Sequence, residues 1–143
     1  MLKLSQRNLV WSFKTIGKSS STIGALGCTI TCISMASYWF GCYKDPAWMA
    51  KNLRFLKDLI IWQSIGEKLC FGFEWRFYKY DEKRILDGLK DPNKVCLLQV
   101  YGRHWVLAAK KIPFIGYLTI DPWIGGYKTY SISSISGGAI LRK

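Results

Sequence analysis

From Ser19 to Tyr43 the chain carries no charged residue. A stretch this long without charge either crosses a membrane or is buried in a protein interior. Its two halves differ in character. Ser19-Ser20-Ser21-Thr22-Ile23-Gly24-Ala25 is built from small, turn-forming residues, and Ile33-Ser34-Met35-Ala36-Ser37-Tyr38-Trp39-Phe40 is apolar. Gly27-Cys28-Thr29-Ile30-Thr31-Cys32 joins them. The first half inserts poorly into lipid, and the apolar part is only about a dozen residues long, the length of a buried core helix. The expectation is a loop over Gly17 to Gly27 and a helix from about Cys28 to Phe40. That helix should be buried on most sides and stopped by Gly41, with no integral membrane segment.

This places Cys28 on the first turn of a buried helix. Unpaired backbone N–H groups and the positive end of the helix dipole meet there, and both favour thiolate over thiol. The chain has one histidine, His104, and Asp121 follows it on the next predicted strand. Cys28 is the candidate nucleophile, His104 the candidate general base and Asp121 the candidate group that orients the imidazole. Singly, each has a plainer reading: a packed thiol, a hydrogen-bonded histidine and a turn-forming Asp-Pro. Their order along the chain is what gives them weight. Cys32, one turn further into the helix, reads as core. Trp105, Trp123 and Tyr127 are candidates to shape a cleft.

At 143 residues the chain is one domain, residues 1–143, large enough to enclose a core. Its 21 basic and 9 acidic residues give a net charge of +12. The basic residues are spread along the chain, which predicts a positive surface suited to a polyanion such as nucleic acid, acidic lipid or wall polymer. The five cysteines, Cys28, Cys32, Cys42, Cys70 and Cys96, form no C-x-x-C pair. Cys42, Cys70 and Cys96 stand among apolar residues, as packed free thiols do. No disulfide framework is expected, a reducing compartment fits better, and no zinc-ligand spacing is present. No metal or organic cofactor is expected. Lys3, Arg7, Lys14 and Lys18 interrupt the start of the chain, which therefore does not read as a secretory signal. The expected setting is cytoplasmic or phage-virion associated.

The remaining elements follow from local patterns. Residues 1–18 read as an irregular arm anchored by Trp11. Asp45-Pro46 opens a helix, and Leu59 to Leu69 reads as a short one. Phe71 to Tyr80 alternates, with Phe73, Trp75 and Phe77 on one side and Glu74, Arg76 and Tyr78 on the other, as in a half-buried strand. Asp81 caps a helix carrying Ile85, Leu86 and Leu89. Val95–Tyr101, His104–Ala109 and Tyr117–Ile120 read as strands. Gly125-Gly126 and Gly137-Gly138 punctuate two more. Helices first and antiparallel strands after make an α+β class.

The residues around the three candidate positions resemble the bacteriocin-leader peptidase-like domains of the papain-like cysteine peptidases. Thr22 to Cys32 is similar to their nucleophile motif, Arg103-His104-Trp105-Val106-Leu107 to the strand carrying their base, and Thr119-Ile120-Asp121-Pro122-Trp123 to the segment orienting it. Ser5-Gln6 with Trp11 is similar to an upstream motif whose glutamine helps form the oxyanion hole. Together these segments span nearly the whole chain. Arg103 stands where many relatives have glycine, and no glutamine closely precedes Cys28. The resemblance implies a papain-like fold, with the Cys28 helix packed on a C-terminal antiparallel sheet. It implies catalysis by Cys28, His104 and Asp121, with Gln6 as an oxyanion donor. The expected activity is cleavage of an amide bond in a protein, leader peptide or peptidoglycan cross-link. With no membrane domain and no ATP-binding loop in the sequence, a stand-alone hydrolase is expected. The alternative is a catalytically weak or inactive papain-like module that binds an anionic polymer or a protein partner.

Overall fold

The computed structural model describes residues 2–143. Helices α1 (Ile23–Leu26), α2 (Cys28–Trp39) and α3 (Pro46–Asn52) come first. A small hairpin follows, of β1 (Phe55–Leu56) and β2 (Leu59–Ile60), then α4 (Ser64–Lys68), β3 (Gly72–Phe77) and α5 (Glu82–Lys90). Strands β4 (Lys94–Val100), β5 (His104–Ile112), β6 (Gly116–Asp121), β7 (Gly126–Ser131) and β8 (Ile135–Arg142) complete the chain. The main sheet has six strands in the order β3-β8-β4-β5-β6-β7, and every pair is antiparallel. The architecture is α+β.

The sheet is covered on both faces. Helix α2 lies on one, where Ile30, Ile33 and Met35 share a core with Val95, Leu97, Trp105, Leu107, Ala139 and Leu141. Helix α5 covers the other, where Ile85 joins Cys96, Leu98, Val100, Val106, Tyr117 and Ile140. The run from Ile30 to Ser37 is buried throughout, and its hydroxyls are satisfied internally. Thr31 donates to Gly27 O (2.7 Å), Ser34 to Lys44 O (2.5 Å) and Ser37 to Ser34 O (2.6 Å). Polar atoms enter the core only when so paired. No helix among the described residues is long and apolar enough to cross a membrane.

The capping signals act as their chemistry dictates. The Asp45 carboxylate accepts from Trp48 N (2.8 Å), with Pro46 in the first turn, and Asp81 accepts from Arg84 N (3.2 Å). Trp11 is buried and its Nε1–H donates to Ser5 O (2.8 Å).

Several expectations need correction. Leu59-Ile60 is a strand, and only Ser64–Lys68 is helical. The predicted loop before Cys28 contains the single turn α1, capped by Thr22. Gly137-Gly138 lies inside β8 rather than at its edge, because a Cβ on Gly138 would sit 2.3 Å from Phe77 Cζ and 2.6 Å from Leu97 O. The alternation along β3 is broken by a bulge between Phe73 and Trp75. A one-residue register shift turns the following side chains to the opposite face. Phe73 therefore packs with the α2 core, whereas Phe77 lies in the α5 core and Trp75 is exposed.

Cys42 and Cys70 form a disulfide, with Cα atoms 6.2 Å apart, which overturns the expectation of free thiols. Both follow the end of a helix, and Cys70 is exposed despite apolar sequence neighbours. Apolar sequence context does not distinguish a packed thiol from one at a helix exit. An exposed bridge persists in oxidising surroundings, so the cysteines no longer argue for a reducing compartment. Cys28, Cys32 and Cys96 are free. The bridge closes a loop of 28 residues, so Cys42→Ser/Cys70→Ser should lower the unfolding free energy by about 2 to 4 kcal/mol. Urea denaturation of the oxidised protein and the double variant measures this, and coincident midpoints would refute it.

Candidate active site

Gly27 sits between α1 and α2 and is buried. Its N–H donates to Ile23 O (2.8 Å), and a Cβ there would stand 2.5 Å from that oxygen. No larger residue fits the junction. The tight passage delivers Cys28 to the first position of α2, where no side chain caps the helix. The backbone N–H groups of that first turn are thus left for another acceptor.

On the sheet, β4 turns into β5 through Tyr101 and Gly102, both at positive φ (54° and 72°). Arg103 N–H then donates to Val100 O (3.2 Å), and His104 begins β5. Antiparallel pairing of β5 with β6 carries Asp121 alongside, and His104 Nε2 donates to Asp121 Oδ1 at 2.7 Å. Asp121 is almost fully buried and accepts two further hydrogen bonds, from Trp123 N to Oδ1 (2.9 Å) and from Tyr130 Oη to Oδ2 (2.5 Å). With Nε2 held by the carboxylate, Nδ1 is the imidazole nitrogen left for the interaction of His104 with the Cys28 thiol.

The electrostatics follow from these contacts. Burial pushes the Cys28 thiol up. Hydrogen bonding with His104 and with the Trp105 backbone, the imidazolium charge and the Thr29 side chain outweigh it, and the pKa falls below the ordinary thiol value. Burial pushes His104 down, yet the bonds to Asp121 and Cys28 and their charges win, raising it to about 9. Burial would also raise Asp121, but His104, Tyr130 and the Trp123 N–H hold it lowered. Between the lowered thiol value and about 9, the pair is thiolate and imidazolium. Cys32 is the contrast. Burial, then the charges of Cys28 and Asp121, raise its pKa strongly. Its Sγ donates to Trp105 O (3.7 Å) deep in the core.

Gln6 reaches the same cleft because the N-terminal arm doubles back. Its backbone N–H donates to Pro122 O (2.8 Å), and its Nε2 donates one hydrogen to Gly24 O (3.2 Å). Among the described residues the second Nε2 hydrogen has no acceptor, and Oε1 is buried without a partner. Gln6 thus lines, with Cys28, His104 and Trp105, one cavity of about 600 Å³. Leu59, Ile60 and Trp62 form another wall, and Trp123 the rim. Tyr127 does not line it.

The structure brings Cys28, His104, Asp121 and Gln6 together. Sequence reasoning missed Tyr130, whose only signal was its place one residue before the end of β7, and the pair Arg76 and Gln99 that line the cleft. Among the described residues, no three His, Cys, Asp or Glu side chains converge as metal ligands. A larger depression of about 1600 Å³, lined by Lys14, Lys18, Lys51, Arg54 and Lys57, contains none of the four site residues. Its size does not make it the site of chemistry, because the Cys28–His104 pair does not open into it. No family model matches the chain, and no curated protein or solved structure matches it.

Cys28 alkylation should therefore have a pH midpoint below that of an ordinary thiol. In His104→Ala only the burial contribution and weaker contacts remain, so the midpoint should move upward. Cys32 and Cys96, both buried with raised pKa values, should stay slow. Iodoacetamide labelling with peptide mapping from pH 5 to 10 reads both effects. An unmoved midpoint in His104→Ala would show that the imidazole does not activate the thiol.

Proposed function

We propose that the protein is a cysteine peptidase or amidohydrolase with a papain-like arrangement, similar in kind to the bacteriocin-leader peptidase-like domains. The observation that carries the reading is the relay from buried Asp121 through His104 to Cys28 at an uncapped helix start. The substrate is an amide: a peptide, or a peptidoglycan cross-link.

In the proposed reaction the Cys28 thiolate attacks the carbonyl carbon, forming a C–S bond as the carbonyl π electrons move onto oxygen. The oxyanion is held by first-turn N–H groups of α2 and the free Nε2 hydrogen of Gln6. Collapse of this intermediate breaks the C–N bond, and the proton on His104 Nδ1 goes to the departing amine. His104 then takes a proton from water, the hydroxide oxygen attacks the thioester, and Cys28 leaves as thiolate, again beside an imidazolium. Throughout, Asp121 fixes the Nε2–H tautomer and stabilises the charged ring. Tyr130 and the Trp123 N–H keep that carboxylate ionised although it is buried.

The test is incubation of the protein with a peptide library and with purified peptidoglycan, new amines being identified by mass spectrometry. Hydrolysis should be abolished in Cys28→Ala and His104→Ala. In Gln6→Ala, loss of one oxyanion donor should lower kcat by roughly 10²–10³ with little change in KM. Turnover that survives Cys28→Ala would end the proposal.

A second reading, a module that binds an anionic polymer, is favoured by the basic depression holding Lys14, Lys18, Lys51 and Lys57. Counter-ion release makes such binding fall steeply with salt. Heparin retention should weaken between 50 and 200 mM salt (roughly the range over which such contacts are lost) and fall in Lys18→Gln/Lys51→Gln. Retention unaffected by either would refute it.

A further inference from the structure

The bulge in β3 has placed a cation on the floor of the cleft. Beyond it Arg76 pairs with Ala139 and faces the α2 side of the sheet. Simple alternation would have left it beside Glu74 on the opposite face. Its guanidinium lies between two rings, 4.3 Å from the Tyr78 centroid and 4.8 Å from that of Trp105. It donates through Nη1 to Phe77 O and to Gly138 O (3.1 Å), and through Nη2 to Gln99 Oε1 (3.2 Å). Gln99 is in turn tied by its Nε2 to Gly102 O (3.2 Å), in the turn that precedes His104. Gly137 makes room, since a Cβ there would approach Nη1 to 3.0 Å.

Every acceptor that Arg76 meets is neutral. None of the ion pairs among the described residues includes it. Among the described residues no acceptor takes the Nε–H or the second Nη2–H. A half-buried cation without a counter-charge carries a desolvation cost, and burial does lower its pKa. Among the described residues the one carboxylate lining the cleft is Asp58, which accepts a hydrogen bond from Ser21 Oγ (2.7 Å). Arg103 adds a second cation to the same wall.

We propose that Arg76 is a specificity residue that binds a carboxylate of the molecule occupying the cleft. The bound molecule is an acidic peptide or acyl-amide, which, resting on the hydrolase reading, names the substrate class. The aromatic sandwich and Gln99 fix the guanidinium plane before binding, so little ordering is lost when the carboxylate arrives. A planar guanidinium suits a carboxylate through two parallel N–H···O bonds, which an ammonium does not reproduce. The carboxylate comes from an acidic side chain or from a chain terminus.

The experiment uses the full chain with Cys28→Ala, so that binding is read without turnover. Three blocked tetrapeptides are titrated by NMR. One carries glutamate, one glutamine at the same place, and one glutamine with a free C-terminal carboxylate. At least one carboxylate peptide should bind about tenfold more tightly than the neutral one and shift the Arg76 Nε–H resonance. Which one does identifies the source. The advantage should vanish in Arg76→Gln. Arg76→Lys, which keeps the charge without the fork, covers the case in which Arg76→Gln fails to fold and should lose most of the advantage. Equal affinities for all three peptides, or an advantage that survives Arg76→Gln, overturn the proposal. Wild-type turnover is scored separately. Carboxylate binding without hydrolysis keeps Arg76 as an anion site and removes the hydrolase reading. Equal hydrolysis of acidic and neutral peptides does the reverse.

Discussion

Helix α2 is buried along nearly its whole length, and the rest of the molecule is arranged to make that possible. A helix without a polar face has no stable position at a surface. It must be enclosed by sheet on one side and by α3, the N-terminal arm and the β1–β2 region on others. Ile30, Ile33 and Met35 leave no exposed flank. Only its ends reach water, at Tyr38 and Trp39 and at Cys28. Cys28 is therefore at the place where this helix combines solvent access with unpaired N–H groups.

The same enclosure sets the electrostatics. Three ionisable groups stand in a poorly solvated region, and burial works against the charge on each. Their partners oppose that cost: His104 lowers the Cys28 pKa, Asp121 and Cys28 raise that of His104, and Asp121 is lowered by His104 and two further donors. Cys32, a turn along the same helix, has burial without any such partner and stays a thiol. Identical side chains on one helix thus differ in chemistry through the neighbours that the sheet presents to them.

Much of this was legible in the chain. The caps at Asp45 and Asp81, the extent of α2, and the order Cys28, His104, Asp121 rest on local chemistry that tertiary packing did not override. What was not legible depended on distant partners. The bulge at Phe73 and Trp75 is fixed by pairing with β8, far along the chain, so alternation alone gave Arg76 the wrong face. Cys42 and Cys70 look apolar in sequence and become bridged only because α2 and α4 end near each other. The Tyr130 hydroxyl reaches Asp121 although the pairing of β7 with β6 sets Tyr130 opposite Tyr117. Gln6 was legible as a candidate through the upstream motif, but the route that returns it to the cleft, the bond of its N–H to Pro122 O, was not.

That return of the arm has a consequence for synthesis. Gln6 N–H is held by Pro122 O, and the Arg7 guanidinium by Trp123 O. A growing chain exposes Cys28 long before His104, Asp121 or the anchor for Gln6 has been made. Domains fold as their parts emerge from the ribosome, so during elongation the thiol has neither imidazole nor completed cleft. The arm must meet the Pro122–Trp123 segment before Gln6 joins the cleft, and Cys28 lacks its imidazole until β5 has been made. A ribosome-bound fragment that stops short of His104 therefore carries a thiol without that partner.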